Sequence, residues 1–212
     1  MAFLNYTLLT CFCLLNVVGM KSKYQDIINS SALLFNIEGY VLPSIDKISE
    51  SAGISKMTFY RYFNDKEALI KAILEDKRQK FIAEIVEITE KEKTPKDKLF
   101  AIFNFYHEWF SRHSFHGCMF SRAVVELGNS MPTLSHIVFD FKSDLLAVVR
   151  NILKTCLKPE PAERVAFVLI MLIDGAISVS QTMDKEVKEY PAAMTAWAAA
   201  KTVIYSEGGE LE

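Results

Sequence analysis

No glycine-rich phosphate loop, no nucleophile elbow and no pair of carboxylates in a catalytic register occurs along the 212 residues, so catalysis is not expected and no cofactor is called for. Alternating apolar and polar runs of strand length are also missing, as are internal repeats and low-complexity tracts, which sets aside sheet architectures, solenoids and disorder. Cysteine is scarce. The four present (Cys11, Cys13, Cys118 and Cys156) show no paired spacing beyond Cys11-x-Cys13, which is too tight for an ordinary disulfide or a zinc knuckle and fits a reducing, cytoplasmic setting. Neither sign of charge dominates: the net charge is −2, so any affinity for nucleic acid must rest on a local surface. What remains is a globular mixture, 50% hydrophobic and 24% charged.

The first 19 residues carry no charge, a length close to the ~20 apolar residues of a membrane-spanning helix. Three readings of this segment stand. A signal peptide lacks its positive n-region here, although Val17-Val18-Gly19 resembles a cleavage site. A membrane anchor agrees with Lys21 and Lys23 following the run. A translated leader ahead of a start at Met20 agrees with Met20-Lys21-Ser22-Lys23 opening directly into an amphipathic helix, and is the expectation preferred.

From Lys23, apolar residues at Ile27, Ile28, Ala32, Leu33, Leu34 and Phe35 recur at helical spacing up to Gly39. Ser44 is the expected N-cap of a second helix whose buried side is Ile45, Ile48 and Ala52, ending at Gly53. Ser55 caps a third through Phe63, so the corner between them is about three residues, the length of a helix-turn-helix. Asn64 with Glu67 reads as a capping-box variant for a fourth helix carrying Leu69, Ile70, Ile73, Leu74, Phe81, Ile82 and Ile85. Thr94-Pro95 then opens a second lobe, with helices expected near Pro95 to Arg112, Cys118 to Leu127, Thr133 to Leu157, Pro161 to Met183 and Tyr190 to Ser206. The fold class is therefore all-α, organised as an apolar leader (1–19), a helix-turn-helix domain (20–75), a helical effector-binding and dimerisation domain (76–206) and a flexible tail (207–212) loosened by Gly208-Gly209.

On the third helix Phe59 and Phe63 share one side and can pack on Ile48, Ala52 and Ile54. The opposite stripe holds Lys56, Met57, Tyr60 and Arg61, groups that reach phosphates and base edges in a major groove. Lys66 follows where a helix N-terminus also attracts phosphate. Across Ser55 to Lys66 three cations face one acid, Asp65, a local charge of +2. A solvated helical hairpin with incidental lysines gives the same local pattern.

The stretch Ile45-Asp46-Lys47-Ile48-Ser49-Glu50-Ser51-Ala52-Gly53-Ile54-Ser55-Lys56 through Met57-Thr58-Phe59-Tyr60-Arg61-Tyr62-Phe63-Asn64-Asp65-Lys66-Glu67-Ala68-Leu69 resembles the N-terminal domain of the TetR family of bacterial regulators. The likeness covers about Tyr24 to Leu74 and includes Ala32-Leu33-Leu34-Phe35 with Gly39-Tyr40. It implies a homodimer that places one recognition helix per subunit in successive major grooves of a palindromic, double-stranded operator. Carried over, Ser44, Thr58, Arg61, Tyr62 and Lys66 stand where the family touches phosphates and Lys56, Met57 and Tyr60 where it reads bases; Ser55, at the helix start, completes the expected DNA-binding set. Met57 departs from the glycine common at its position, and a bulky side chain there contacts a thymine methyl or alters the approach.

In the second lobe Phe100, Phe103, Phe105, Tyr106, Trp109 and Phe110 crowd one helix, with Phe115, Met119 and Phe120 soon after, enough for either a plain core or a ligand cavity. The resemblance favours a small-molecule effector site, of unknown occupant, for which Phe103, Tyr106, His107, Phe110, Cys118, Phe120, Arg122, Glu126, Met171 and Asp174 are the candidates. Gly117-Cys118-Met119-Phe120 with Glu126-Leu127 looks like one branch of the family. Asp174 lies in a run too apolar to carry a charge unpartnered, and reads first as a hydrogen-bonded structural aspartate. His107, His113, His116 and Cys118 suggest a metal by type, but their spacing does not place them on one helical face, and no basic group activates Cys118 for redox work; no metal site is expected. Two near-apolar helices, one with Val165, Phe167, Val168, Leu169, Met171, Leu172, Ile173, Ala176, Ile177 and Val179 and one from Ala192 to Ala200 with Trp197, are the expected dimer surface, which the resemblance implies is a four-helix bundle between subunits; burial within one subunit is the alternative. The resemblance thus implies a ligand-responsive regulator, a repressor by preference, in which effector binding shifts the fourth helix. A helical enzyme or carrier using the aromatic lobe is the alternative.

Overall fold

The computed structural model describes residues 23–128, 130–183 and 191–211. The readings made for 1–19, for the break at Asp184 to Glu189 and for a helix start at Tyr190 lie outside these residues.

Helix α1 occupies 23–38 and ends at Gly39, whose φ of +83° is the left-handed conformation an L side chain resists. Helix α2 (Ile45–Ser51) is capped by Ser44, whose hydroxyl accepts from the Lys47 N–H at 3.3 Å. Gly53 (φ +61°) turns the chain, and α3 (Lys56–Tyr62) starts under Ser55, whose hydroxyl accepts from the Thr58 N–H at 3.1 Å. The corner is therefore the short one the sequence implied.

Helix α4 runs Lys66–Glu90, and its cap is Asp65 rather than the Asn64 expected: the Asp65 carboxylate accepts from the Ala68 N–H at 2.7 Å. The ionised side chain also suits the positive helix end better than an amide does. There follow α5 (Pro95–Phe110), α6 (Met119–Leu127), α7 (Pro132–Leu153), α8 (Pro159–Thr182) and α9 (Ala192–Ser206). Several bounds differ from the sequence reading: α5 ends at Phe110 rather than Arg112, α6 starts at Met119 rather than Cys118 and α8 ends at Thr182 rather than Met183, and the start and end of α7 and the start of α8 differ around Pro132 and Pro159. Pro132 and Pro159 are accepted inside the first turns of α7 and α8, where no N–H is needed, while Lys158 before Pro159 is forced extended (ψ 156°) and ends the preceding turn early.

Among the described residues there are helices and no strands, and the fold is all-α. They form two compact units, divided between Leu74 and Glu75. The first buries Ile27, Ile28 and Phe35 of α1, Ile48 of α2, Phe59 of α3 and Leu69, Ile70, Ile73 and Leu74 of α4. Each such side chain removed from water contributes roughly 1.5–3 kcal/mol before chain entropy is offset, which is how helices of only seven residues persist. In the second unit α8 packs on α7 and α9, and α9 on α5. The buried face of α8 is Val165, Ala166, Leu169, Ile173 and Ala176, and small Ala193, Ala196 and Ala200 let α9 approach.

By length and composition α8 would suffice to cross a membrane, but its Val165, Leu169 and Ile173 are spent on neighbours within this unit. The last residues are not loose as expected. Arg164 holds Glu207 at 2.7 Å, the Gly209 N–H donates to the Ile204 carbonyl at 3.0 Å, and Leu211 is buried. A Cβ on Gly209 would lie 2.6 Å from Ile204 Cγ2, so the glycine there permits close packing rather than freedom.

Candidate nucleic-acid interface

Amphipathicity of α3 sorts its side chains. Phe59 is wholly buried and its ring meets Phe63 at 5.8 Å, while Met57 is 83% exposed and Tyr60 and Arg61 also face outward. Tyr62, one turn from Thr58, is half-buried against Tyr24, at 6.3 Å between ring centres. Tyr24 also stacks on Phe63 at 5.2 Å, so α1 braces the end of α3.

The hydroxyls of Ser55 and Thr58 lie 2.9 Å apart, and exposed Ser44 begins α2. Lys66 Nζ donates to the Val41 carbonyl at 2.9 Å, tying the α1–α2 connection to the first turn of α4. Ser44, Ser55, Lys56, Met57, Tyr60 and Arg61 are therefore all solvent-facing, whereas Thr58, Tyr62 and Lys66 are part-covered.

In the fold the local charge of +2 is offset by an acid from outside the stretch. Asp46 of α2 reaches Lys56 with both carboxylate oxygens, at 2.9 and 3.2 Å from Nζ. That contact raises the Lys56 ammonium above the ordinary lysine range, chiefly through the hydrogen bond and then the charge of Asp46. Asp46 lies ten residues upstream of Lys56, outside the stretch from Ser55 to Lys66, and only the crossing of α2 and α3 brings them together. Lys47 is likewise held by Glu38 at 2.6 Å. Arg61 has no ion-pair partner among the described residues.

The pattern defining bacterial regulatory proteins of the tetR family matches residues 27–73, which is the first unit from α1 through Ile73. Residues 27–73 are a tetR-family domain. Curated relatives match over short segments. The chain is 43% identical over 54 residues to the transposon Tn10 TetC protein of Escherichia coli, covering 26% of this chain and 27% of the relative. It is 30% identical over 79 residues to a fatty acid metabolism regulator protein of Bacillus subtilis, covering 37% of this chain and 41% of the relative. The matched segments thus span well under half of these relatives. Fold similarity reaches further: a TetR-family transcriptional regulator from Streptomyces coelicolor superposes with a TM-score of 0.79 at 21% identity, over 88% of this chain and 96% of the other. Over that 88% the chain shares the fold of a TetR-family regulator, and residues 27–73 are the part that matches the family's own pattern.

The candidate effector residues divide in the second unit. Tyr106 is buried, its hydroxyl has no hydrogen-bond partner among the described residues, and burial pushes its phenol well above the usual range, with Cys118 and Asp174 near enough to push it the same way. Those three lie together. Phe110 borders Tyr106 at 6.1 Å between rings, and Phe120 stacks on Phe141 at 3.8 Å. Half-buried His107 lies one residue on from Tyr106, while Arg122 and Glu126 pair along α6 at 2.5 Å.

Two candidates lie apart from Tyr106, Cys118 and Asp174. Met171 is 52% exposed on the outer side of α8, and Phe103 is packed on Trp197 at 5.5 Å between ring centres, on the α5–α9 side. Asp174 has its counter-ion in Lys142 of α7, the structural role read first for it. Phe81 of α4, which in the sequence looks like any other apolar helix position, joins this aromatic cluster. In the fold it gathers Phe105, Tyr106, Trp109 and Phe141 within 6.4 Å. Among the described residues no three His, Cys, Asp or Glu groups converge to hold a metal.

Proposed function

We propose that this protein is a cytoplasmic, homodimeric regulator of transcription, a repressor by preference, that docks α3 into the major grooves of a palindromic operator and answers to a small molecule bound in the second unit. The single observation carrying the reading is the two-sidedness of α3: Phe59 is wholly buried in the tetR-family domain while Met57, Tyr60 and Arg61 stand out from it. In this reading Arg61, Lys66 and the hydroxyls of Ser44, Ser55 and Thr58 engage phosphates with Tyr62, and Lys56, Met57 and Tyr60 meet base edges.

The dimer surface is the outer side of α8 and α9, but only part of the apolar set assigned to it. Val165, Leu169, Ile173, Ala176, Ile177, Ala193, Ala196, Trp197 and Ala200 are the subunit's own core, leaving Phe167 (59% exposed), Met171, Val179 and Tyr205 for a partner. Gly175, on the same outer side of α8, meets nothing within 4 Å and so leaves room for close approach of a second copy. The effector reading rests on the Tyr106 hydroxyl, which has no hydrogen-bond partner among the described residues, amid Phe81, Phe110 and Trp109, a wall suited to an aromatic or aliphatic molecule with one hydrogen-bonding group.

Fluorescence anisotropy of the purified dimer on the intergenic duplex beside its own gene tests the core claim. Binding is expected to weaken linearly with log salt, and Arg61→Ala or Lys66→Ala to make that slope shallower by about 0.9 for each phosphate no longer neutralised. Unchanged affinity and slope in both variants would refute the docking described here. Turnover of a bound compound without DNA affinity would instead point to an enzyme.

A further inference from the structure

Lys56 opens α3 on the groove-facing side, where a flexible ammonium would ordinarily find the nearest phosphate on any duplex. In this protein it is instead gripped by both oxygens of Asp46, at 2.9 and 3.2 Å, across the α2–α3 crossing. Both side chains are more than half exposed, 52% for Lys56 and 72% for Asp46, so the pair adds nothing to the core and lies on the surface that would meet DNA. Lys47, the neighbour of Asp46, is already occupied by Glu38, and Arg61 is left as the exposed cation of α3. Helix α3 therefore separates its two cations into one available to phosphate, Arg61, and one withheld, Lys56.

We propose that Asp46 is a positioning residue for sequence discrimination, holding the Lys56 ammonium away from the phosphate backbone so that it is released only to a base edge that outcompetes the carboxylate. This deepens the DNA-binding reading and rests on it. An exposed ion pair is worth about five-fold at most, so a non-specific phosphate contact gains little by breaking it. A well-placed base contact contributes between about five- and a hundred-fold and does break it. Asp46 would thereby lower affinity for unmatched DNA more than for matched DNA, and carry a specificity role without touching a base.

The experiment compares wild type, Asp46→Asn, Lys56→Met and the double variant, all as the full chain, by anisotropy on a random-sequence duplex over a salt series. Asp46→Asn is expected to raise affinity for that duplex by about three- to five-fold at low salt. It should also steepen the dependence of log K on log salt by about 0.9 per phosphate newly neutralised in each subunit. In the Lys56→Met background the same substitution should change neither. No change in affinity or slope overturns the proposal, and so does a gain that survives without Lys56, since that would be simple repulsion between carboxylate and phosphate. Asp46→Ser, another residue suited to a helix start, replaces Asp46→Asn if the latter fails to show a wild-type melting curve. Absence of any duplex binding by wild type at low salt removes the DNA-binding reading itself, an outcome distinct from a null effect of Asp46.

Discussion

Arg78, on the part of α4 that belongs to the second unit, meets three acids. Its Nε donates to Asp144 at 2.8 Å and its Nη1 to Asp140 at 3.1 Å, both on α7, with Glu75 at 3.4 Å. The side chain is 22% exposed and the three acids 38–50% exposed, which decides the magnitude. A fully buried pair stripped of one partner costs about 3–5 kcal/mol, and an exposed one about 0–1. Arg78→Met keeps the aliphatic stem and deletes the charge, leaving three carboxylates crowded but still wetted, so about 1–2 kcal/mol is expected. For a unit of this size that is a fall in Tm of about 3–6 °C, readable by circular dichroism. The loss should shrink in high salt, where repulsion among the acids is screened. In double-variant cycles Asp144→Asn should couple to Arg78 more strongly than Asp140→Asn, because its contact is shorter. A melting temperature unchanged or raised in Arg78→Met would refute the reasoning, showing that desolvation of the guanidinium costs as much as its contacts return.

Ser31 is fully buried in α1 and its hydroxyl has no partner among the described residues, so Ser31→Ala should stabilise the first unit by about 1 kcal/mol, measured by denaturant titration, and a loss of stability would show that the hydroxyl is satisfied. Gly117 has φ +89°, and a Cβ there would meet Gln181 at 1.8 Å; Gly117→Ala should lower stability by roughly 1–3 kcal/mol, with only part restored by adding Gln181→Ala, because the backbone strain remains. Glu207 is held below the usual glutamate range by its hydrogen bond to Arg164. A carboxylate so depressed lends stability that is present above the unfolded pKa and lost as pH falls through the folded one, so hydrogen exchange at Gly209 should accelerate below about pH 4.5 in wild type and be already fast in Arg164→Ala.

Local chemistry was sufficient for most of the elements. Ser44 and Ser55 announced α2 and α3, and Gly53 their corner, because a cap hydroxyl and a left-handed glycine act within a few residues of themselves. Apolar spacing on α3 separated Phe59 from Met57 and Tyr60 for the same reason: side chains on one helix diverge by fixed angles. Resemblance across Tyr24 to Leu74 then carried the reading from a helical hairpin to a tetR-family domain.

What the order of residues left open was settled by crossings between helices. Asp46 meets Lys56, Arg78 meets Asp140 and Asp144, and Lys142 meets Asp174 over separations that no periodicity encodes. The same holds for burial. Phe167 and Leu169 are equally apolar as sequence, yet one is exposed and the other is core, because hydrophobic free energy depends on which face of α8 turns toward α7 and α9. Short-range rules determine where helices begin, end and turn; which charge is quenched and which surface is left for a partner belongs to the packing, since those energies exist only once distant segments share the same few ångströms.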